Sequence, residues 1–143
     1  MSHITFLIIQ EQENETTEVF KAEFPIEIFD NRNKYEIDNY QGIIICGGKN
    51  ITTFESEELK NLIFSLFKQK KPVIAMDCGP VILANMGFLV GKCVTVNDEY
   101  GRYVHSKGAI IFDDSIVIDK NLITTRFKVP ETELLETIKQ KKL

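Results

Sequence analysis

The sequence has no GxxxxGK[S/T] phosphate loop, no GxGxxG dinucleotide fingerprint and no cluster of metal ligands at ligating intervals. These absences argue against ATP, NAD or zinc chemistry, so no cofactor and no metal are expected. Cysteine is scarce and odd in number: Cys46, Cys78 and Cys93 lack paired spacing. That disfavours a disulfide framework and points to a reducing, cytoplasmic compartment. Positive charge is not in excess, with 17 Lys and Arg against 21 Asp and Glu, a net charge of −4. Nucleic acid and anionic membranes are therefore not expected partners. Lys139, Lys141 and Lys142 read instead as the dipole-complementing end of a helix. No apolar run reaches membrane length, and Ile4 to Ile9 is too short for a signal core. Repeats, linkers and low-complexity tracts are also missing, so residues 1–143 read as a single domain.

What is present is an ordinary globular composition, 43% hydrophobic and 27% charged. Short β-branched runs recur as "ITFLII" (4–9), "IEIF" (26–29), "GIIIC" (42–46) and "PVIAM" (72–76). Apolar throughout, they suit strands covered on both faces, as in a parallel sheet. Between the last two, Leu59, Leu62, Ile63, Leu66 and Phe67 recur at helical spacing, with Ser56 or Thr53 as N-cap. "GPVILANMGFL" reads as a second helix ending near Gly87. A short helix is expected near Thr16 to Ala22, too small to cover its sheet face fully. "KCVTV", "GAIIF", "SIVID" and "LITT" lie so close together that some must pair antiparallel. "PETELLETIKQKK" reads as a closing helix with Pro130 near its first turn. The pattern implies a doubly wound α/β sheet, mainly parallel, with helices on both faces and a small antiparallel β insert.

Ligands in open α/β sheets bind beyond the carboxyl ends of the strands. Three loops there carry suggestive residues: "QEQENET", "CGGKN" and "DCGP". Gly47-Gly48 can turn tightly and present bare N–H groups as an anion or oxyanion cradle, although a GG pair alone more often just turns the chain. The break at Asp77-Cys78-Gly79-Pro80 has the form of a nucleophile elbow, which needs small residues two positions either side of its tip. With Asp77 at the tip the flanks are Ala75 and Gly79, both small. With Cys78 at the tip they become Met76 and Pro80, and the pattern fails. Asp77 is the expected tip, and Cys78 the inward-turned residue after it. Tyr100, Arg102 and Tyr103 read as a tyrosine-rich loop that can line the cleft mouth. Cys46 and Cys93 read as core, and His105 as a surface residue.

"YQGIIICGG", then an amphipathic helix, then "KPVIAMDCGPVILANMGFLVGKCVTV" and finally "DKNLITTR" resemble, in order, the motifs of the ThiJ/PfpI superfamily. The resemblance implies a class I glutamine amidotransferase-like, flavodoxin-like fold and, commonly, a homodimer. It puts the family's nucleophilic cysteine on Asp77 and its partner glutamate on Glu15. The backbone donors fall on Gly48 and Cys78. The chain departs from the pattern in lacking that cysteine, in carrying Cys46 for the proline of "PGG", and in a short stretch between Glu15 and Gln41.

Several roles stay open for Asp77. It can pair with Glu15 as a general acid and base, or attack as a carboxylate nucleophile. It can mimic the charge of a sulfinate, or simply cap the following helix. A reactive Cys78 is the lesser reading: a helix N-terminus lowers a thiol pKa, but a neighbouring carboxylate raises it. The expected function is that of a divergent ThiJ/PfpI-like protein, lacking the family's nucleophilic cysteine, that binds a small molecule or acts in regulation. The rival is a hydrolase or glyoxalase-like enzyme running on the Glu15/Asp77 pair.

Overall fold

The computed structural model describes residues 5–11, 15–30, 32–48, 50–126 and 131–140. Its main sheet is assembled from β1 (Thr5–Ile9), β2 (Ile26–Ile28), β3 (Tyr40–Ile45), β4 (Val73–Met76), β7 (Ile116–Asp119) and β8 (Leu122–Thr125) in the order β2-β1-β3-β4-β8-β7. The first five are mutually parallel and β7 runs antiparallel on the edge. The order reverses at β1, which pairs with β2 on one side and β3 on the other. That reversal, together with the adjacent end of β4, places the classical ligand crevice of an open α/β sheet.

The strands are apolar throughout because alternate residues serve two cores. Leu7, Ile9, Ile43, Ile45, Val73 and Ala75 face the core that holds α2 (Glu57–Lys68), α3 (Pro80–Asn85) and Val104 of α4 (Asp98–Ser106). Phe6, Ile8, Ile44, Ile74 and Met76 face the other, filled by Phe20 of α1 (Glu15–Glu23) and Leu134, Leu135 and Ile138 of α5 (Glu131–Gln140). The short α1 thus covers its face with help from the chain's last helix and from Phe24, which packs against both Phe6 and Phe20. On β3, Tyr40 donates from its hydroxyl to Glu27 Oε2 at 2.6 Å, tying the strand to β2.

Helix ends follow their sequence signals. Ser56 Oγ accepts from Leu59 N at 3.1 Å and starts α2, with Glu57 and Glu58 in the first turn. Gly87, at φ 81°, ends the α3 segment as a left-handed residue, with Phe88 N–H donating to Leu83 O in the Schellman pattern. The same pattern ends α2, but there the left-handed position holds Lys70, at φ 59°. A second lysine, Lys120, takes φ 57° in the two-residue turn between β7 and β8. Pro130 and the lysines at 141 and 142 lie outside the described residues.

Two expectations change. The tyrosine-rich stretch is not a loop: residues 98–106 form α4, with Asp98 and Glu99 in its first turn. Gly101 in mid-helix hides that helix from a propensity reading, since glycine there costs about 1 kcal/mol relative to alanine. Because α4 supplies a crossover, β5 (Cys93–Val94) and β6 (Ile110–Ile111) pair parallel in a ribbon of their own. The antiparallel pairing expected among the last four strands is that of β7 and β8.

A Cβ added at Gly101 meets nothing within 4 Å. Gly101→Ala is therefore expected to stabilise the fold by about 0.5–1 kcal/mol, read as a higher denaturant midpoint with unchanged m-value.

Candidate functional site

Three strand ends lie side by side. Ile9 pairs with Ile45 and Ile45 with Ala75, so the chain leaves β1, β3 and β4 along one edge of the sheet. Gln10-Glu11, Cys46-Gly47-Gly48 and Asp77-Cys78-Gly79 consequently converge.

Asp77 sits at the tip of the break with φ 55°, the left-handed region that aspartate tolerates better than most residues. Such a backbone persists only where its surroundings over-determine it, at a cost of order 1–3 kcal/mol. The surroundings here are tight. A Cβ on Gly79 would lie 2.8 Å from Ile45 O and 2.9 Å from Met76 O, which is the spatial reason for the small flank. A Cβ on Gly47 would lie 2.5 Å from Asp77 Cβ. The GG pair is therefore glycine because the elbow presses against it. On the far side of the elbow, Asn97 N–H points at Asp77 O at 3.5 Å. The first helical residue of α3 is Pro80, with Gly79 before it.

Cys78 turns inward and is only 7% exposed. Its Sγ accepts from Gly48 N–H at 3.1 Å and lies 3.3 Å from Gly48 O, so thiol and peptide close on each other in both directions. Burial is the main influence raising this thiol's pKa above the ordinary cysteine range, and the charges of Asp77 and Glu11 add to it, outweighing the Gly48 N–H. The thiol therefore stays protonated at neutral pH, the opposite of what a nucleophilic cysteine needs. The Gly48 N–H expected to face a substrate oxyanion is engaged by Sγ instead.

Sequence reasoning missed Glu11. Its Oε1 accepts from Asn50 N–H and stands 2.5 Å from where a Cβ on Gly48 would be. A carboxylate from the loop after β1 thus stands beside Gly48. Its position two residues past the last strand residue was the available signal, but Glu15 drew the assignment by resemblance. Glu15 opens α1, and its side chain lies outside the described residues. Nearby, Gln10 and Thr17 are both buried, and Thr17 Oγ1 donates to Gln10 Oε1, fastening α1 to the end of β1.

From α4, Tyr100 approaches closely enough that a charged Cys78 would raise its phenol pKa further above the usual value, a rise caused mainly by burial. Arg102 is exposed, and Tyr103 donates instead to Asn85 Oδ1 between α4 and α3. Cys46 is buried, Cys93 half-buried, and neither is in a disulfide. His105 is exposed, its Nδ1 3.1 Å from Ala109 O. Among the described residues no cluster of His, Cys, Asp and Glu could hold a metal ion.

The model of the DJ-1/PfpI family matches residues 8–139, a span that contains the elbow, the GG pair and the closing strands. The chain belongs to the DJ-1/PfpI family. Among curated relatives, an uncharacterised protein of Methanocaldococcus jannaschii is 33% identical over 93 residues, 62% of this chain and 45% of that protein. An uncharacterised protein of Staphylococcus epidermidis is 28% identical over 92 residues, 62% of this chain and 54% of its own length. The chain spans about half the length of the curated relatives it matches. Among solved structures, the ThiJ/PfpI domain protein of Brachyspira murdochii superposes with TM-score 0.81 at 15% identity, covering 99% of this chain and 96% of that one. DJ-1beta of Drosophila melanogaster gives 0.75 at 19% identity, covering 99% and 90%. At these identities the likeness is one of DJ-1/PfpI fold.

Alkylation of Cys78 by iodoacetamide at neutral pH is expected to be slower than that of free cysteine. Asp77→Asn should accelerate it, because removing a nearby negative charge lowers the thiol pKa and raises the thiolate fraction. As pH rises through the folded thiol's raised pKa, the protonated form that the site favours is lost. Stability contributed by this group is thus full below the ordinary cysteine value and declines above it, measurable as the pH dependence of the denaturant midpoint in wild type and not in Cys78→Ala.

Proposed function

We propose that this protein is a DJ-1/PfpI member that binds a small polar molecule at the elbow and does not use thiol chemistry. The observation carrying this reading is the closed contact between Cys78 Sγ and Gly48, with the thiol held protonated while a carboxylate occupies the elbow tip. Asp77 and Glu11 both stand against the Gly47-Gly48 pair, and Tyr100 approaches from α4. A ligand fitting these groups would present N–H donors or a positive charge, as in an amine, amidine or guanidine. Carboxylate acceptors bind such groups through charge-assisted hydrogen bonds. The three free cysteines fit the cytoplasmic placement, and the homodimer implied by the resemblance is part of the same proposal.

A second reading is a hydrolase or carbonyl-processing enzyme running on paired carboxylates. It is favoured by one feature, that two carboxylates, Asp77 and Glu11, flank the GG pair, with Glu15 a further candidate at the start of α1. Two carboxyl groups at one site could divide the roles of general acid and general base.

A single comparison separates the two. Wild type and Asp77→Asn are tested for turnover of methylglyoxal and a panel of small esters and amides, and for thermal stabilisation by small amines and guanidines. Binding predicts no turnover by either protein, with a ligand-dependent rise in Tm that is lost in the variant. Turnover by wild type that disappears in Asp77→Asn would overturn the binding reading in favour of the carboxylate enzyme.

A further inference from the structure

At the amino ends of β4 and β8, the end of the sheet away from the elbow, lies a cavity of about 730 Å³. Its apolar lining is Phe64 and Phe67 of α2 and Phe88 just after α3, and its cationic lining is Lys70, Lys92 and Lys120. We propose that this cavity binds a small amphipathic anion, a carboxylate carried on an aromatic or short acyl body.

The charge pattern is the first support. The chain as a whole is acidic, with a net charge of −4, yet among the described residues no aspartate or glutamate lines this cavity while three lysines do. Among the described residues, none of those lysines is in an ion pair with a carboxylate. Lys92 Nζ stands 5.9 Å from the centre of the Phe67 ring, a cation held over the apolar wall. An anionic head on an apolar body complements both surfaces together.

Backbone conformation is the second. The described residues include three non-glycine positions at positive φ: Asp77, Lys70 and Lys120. Asp77 belongs to the elbow, and the other two line this one cavity. Glycine would relieve both lysine positions, as it does at the equivalent end of α3, where Gly87 stands. Left-handed residues with side chains cluster at ligand clamps, where the side chain is worth its backbone cost. Exposure is the third: Phe64 is 57% exposed, a large ring facing solvent at the cavity wall. The volume falls within the range of small-molecule sites, roughly 300–1,000 Å³.

Isothermal titration of the full chain with decanoate tests the assignment, with 1-decanol as the uncharged counterpart of the same body. One saturable decanoate site is expected, with decanol about tenfold weaker or worse. Lys92→Glu combined with Lys120→Glu should weaken decanoate by about tenfold or more. Lys120→Gly separates ligand binding from folding: it should raise Tm by relieving the left-handed turn, yet weaken decanoate. Absence of a saturable site in wild type overturns the proposal, as does equal affinity for decanol or indifference to the lysine changes. Self-association through this face, seen as a dimer that Lys92→Glu splits and that binds no decanoate, overturns it as well.

Discussion

The site rests on one close approach, the packing of the elbow after β4 against the Gly47-Gly48 pair after β3. Gly47 has no room for a Cβ because Asp77 Cβ occupies that space, and Gly48 has none because the Glu11 carboxylate does. Gly79 is shut in by backbone oxygens of β3 and β4. Three glycines thus allow three strand ends to meet at backbone distance. A methyl group at Gly47 or Gly79 would press directly on the elbow, whereas one at Gly48 would meet the Glu11 side chain.

This crowding also sets the chemistry. A thiol one residue past the tip is driven inward, where Gly48 offers it both a donor and an acceptor. Burial and two nearby carboxylates keep it neutral. The strained elbow therefore carries an oxygen acid at its tip and turns its thiol inward. A carboxylate at the tip offers acceptor oxygens, which suits recognition of a donor or a cation as readily as it suits proton transfer.

The two ends of the sheet differ in charge. At the carboxyl ends of the central strands stand Asp77 and Glu11. Near their amino ends, Lys70, Lys92 and Lys120 surround an apolar hollow. Two of these lysines, Lys70 and Lys120, arrive through turns that a glycine would make with less strain.

Much of the fold was legible because it follows from periodicity and turn chemistry. Runs such as "TFLII" and "GIIIC" can serve two cores only as covered parallel strands, and Ser56 and Gly87 mark helix ends by requirements of their own. The tip of the elbow was legible too, since the small flanks at Ala75 and Gly79 express a local need for space. Residues 98–106 were not read as a helix because Gly101 weakens the local signal. There, packing of Val104 into the core overrides propensity. Which acid meets the GG pair was beyond the sequence, because Glu11 and Gly48 are neighbours only through the pairing of β1 with β3. The direction of the Cys78 thiol toward Gly48 and the gathering of three lysines from separate turns depend in the same way on long-range packing. Local chemistry chose the elements and their ends, and the tertiary fold alone decided which charges face one another.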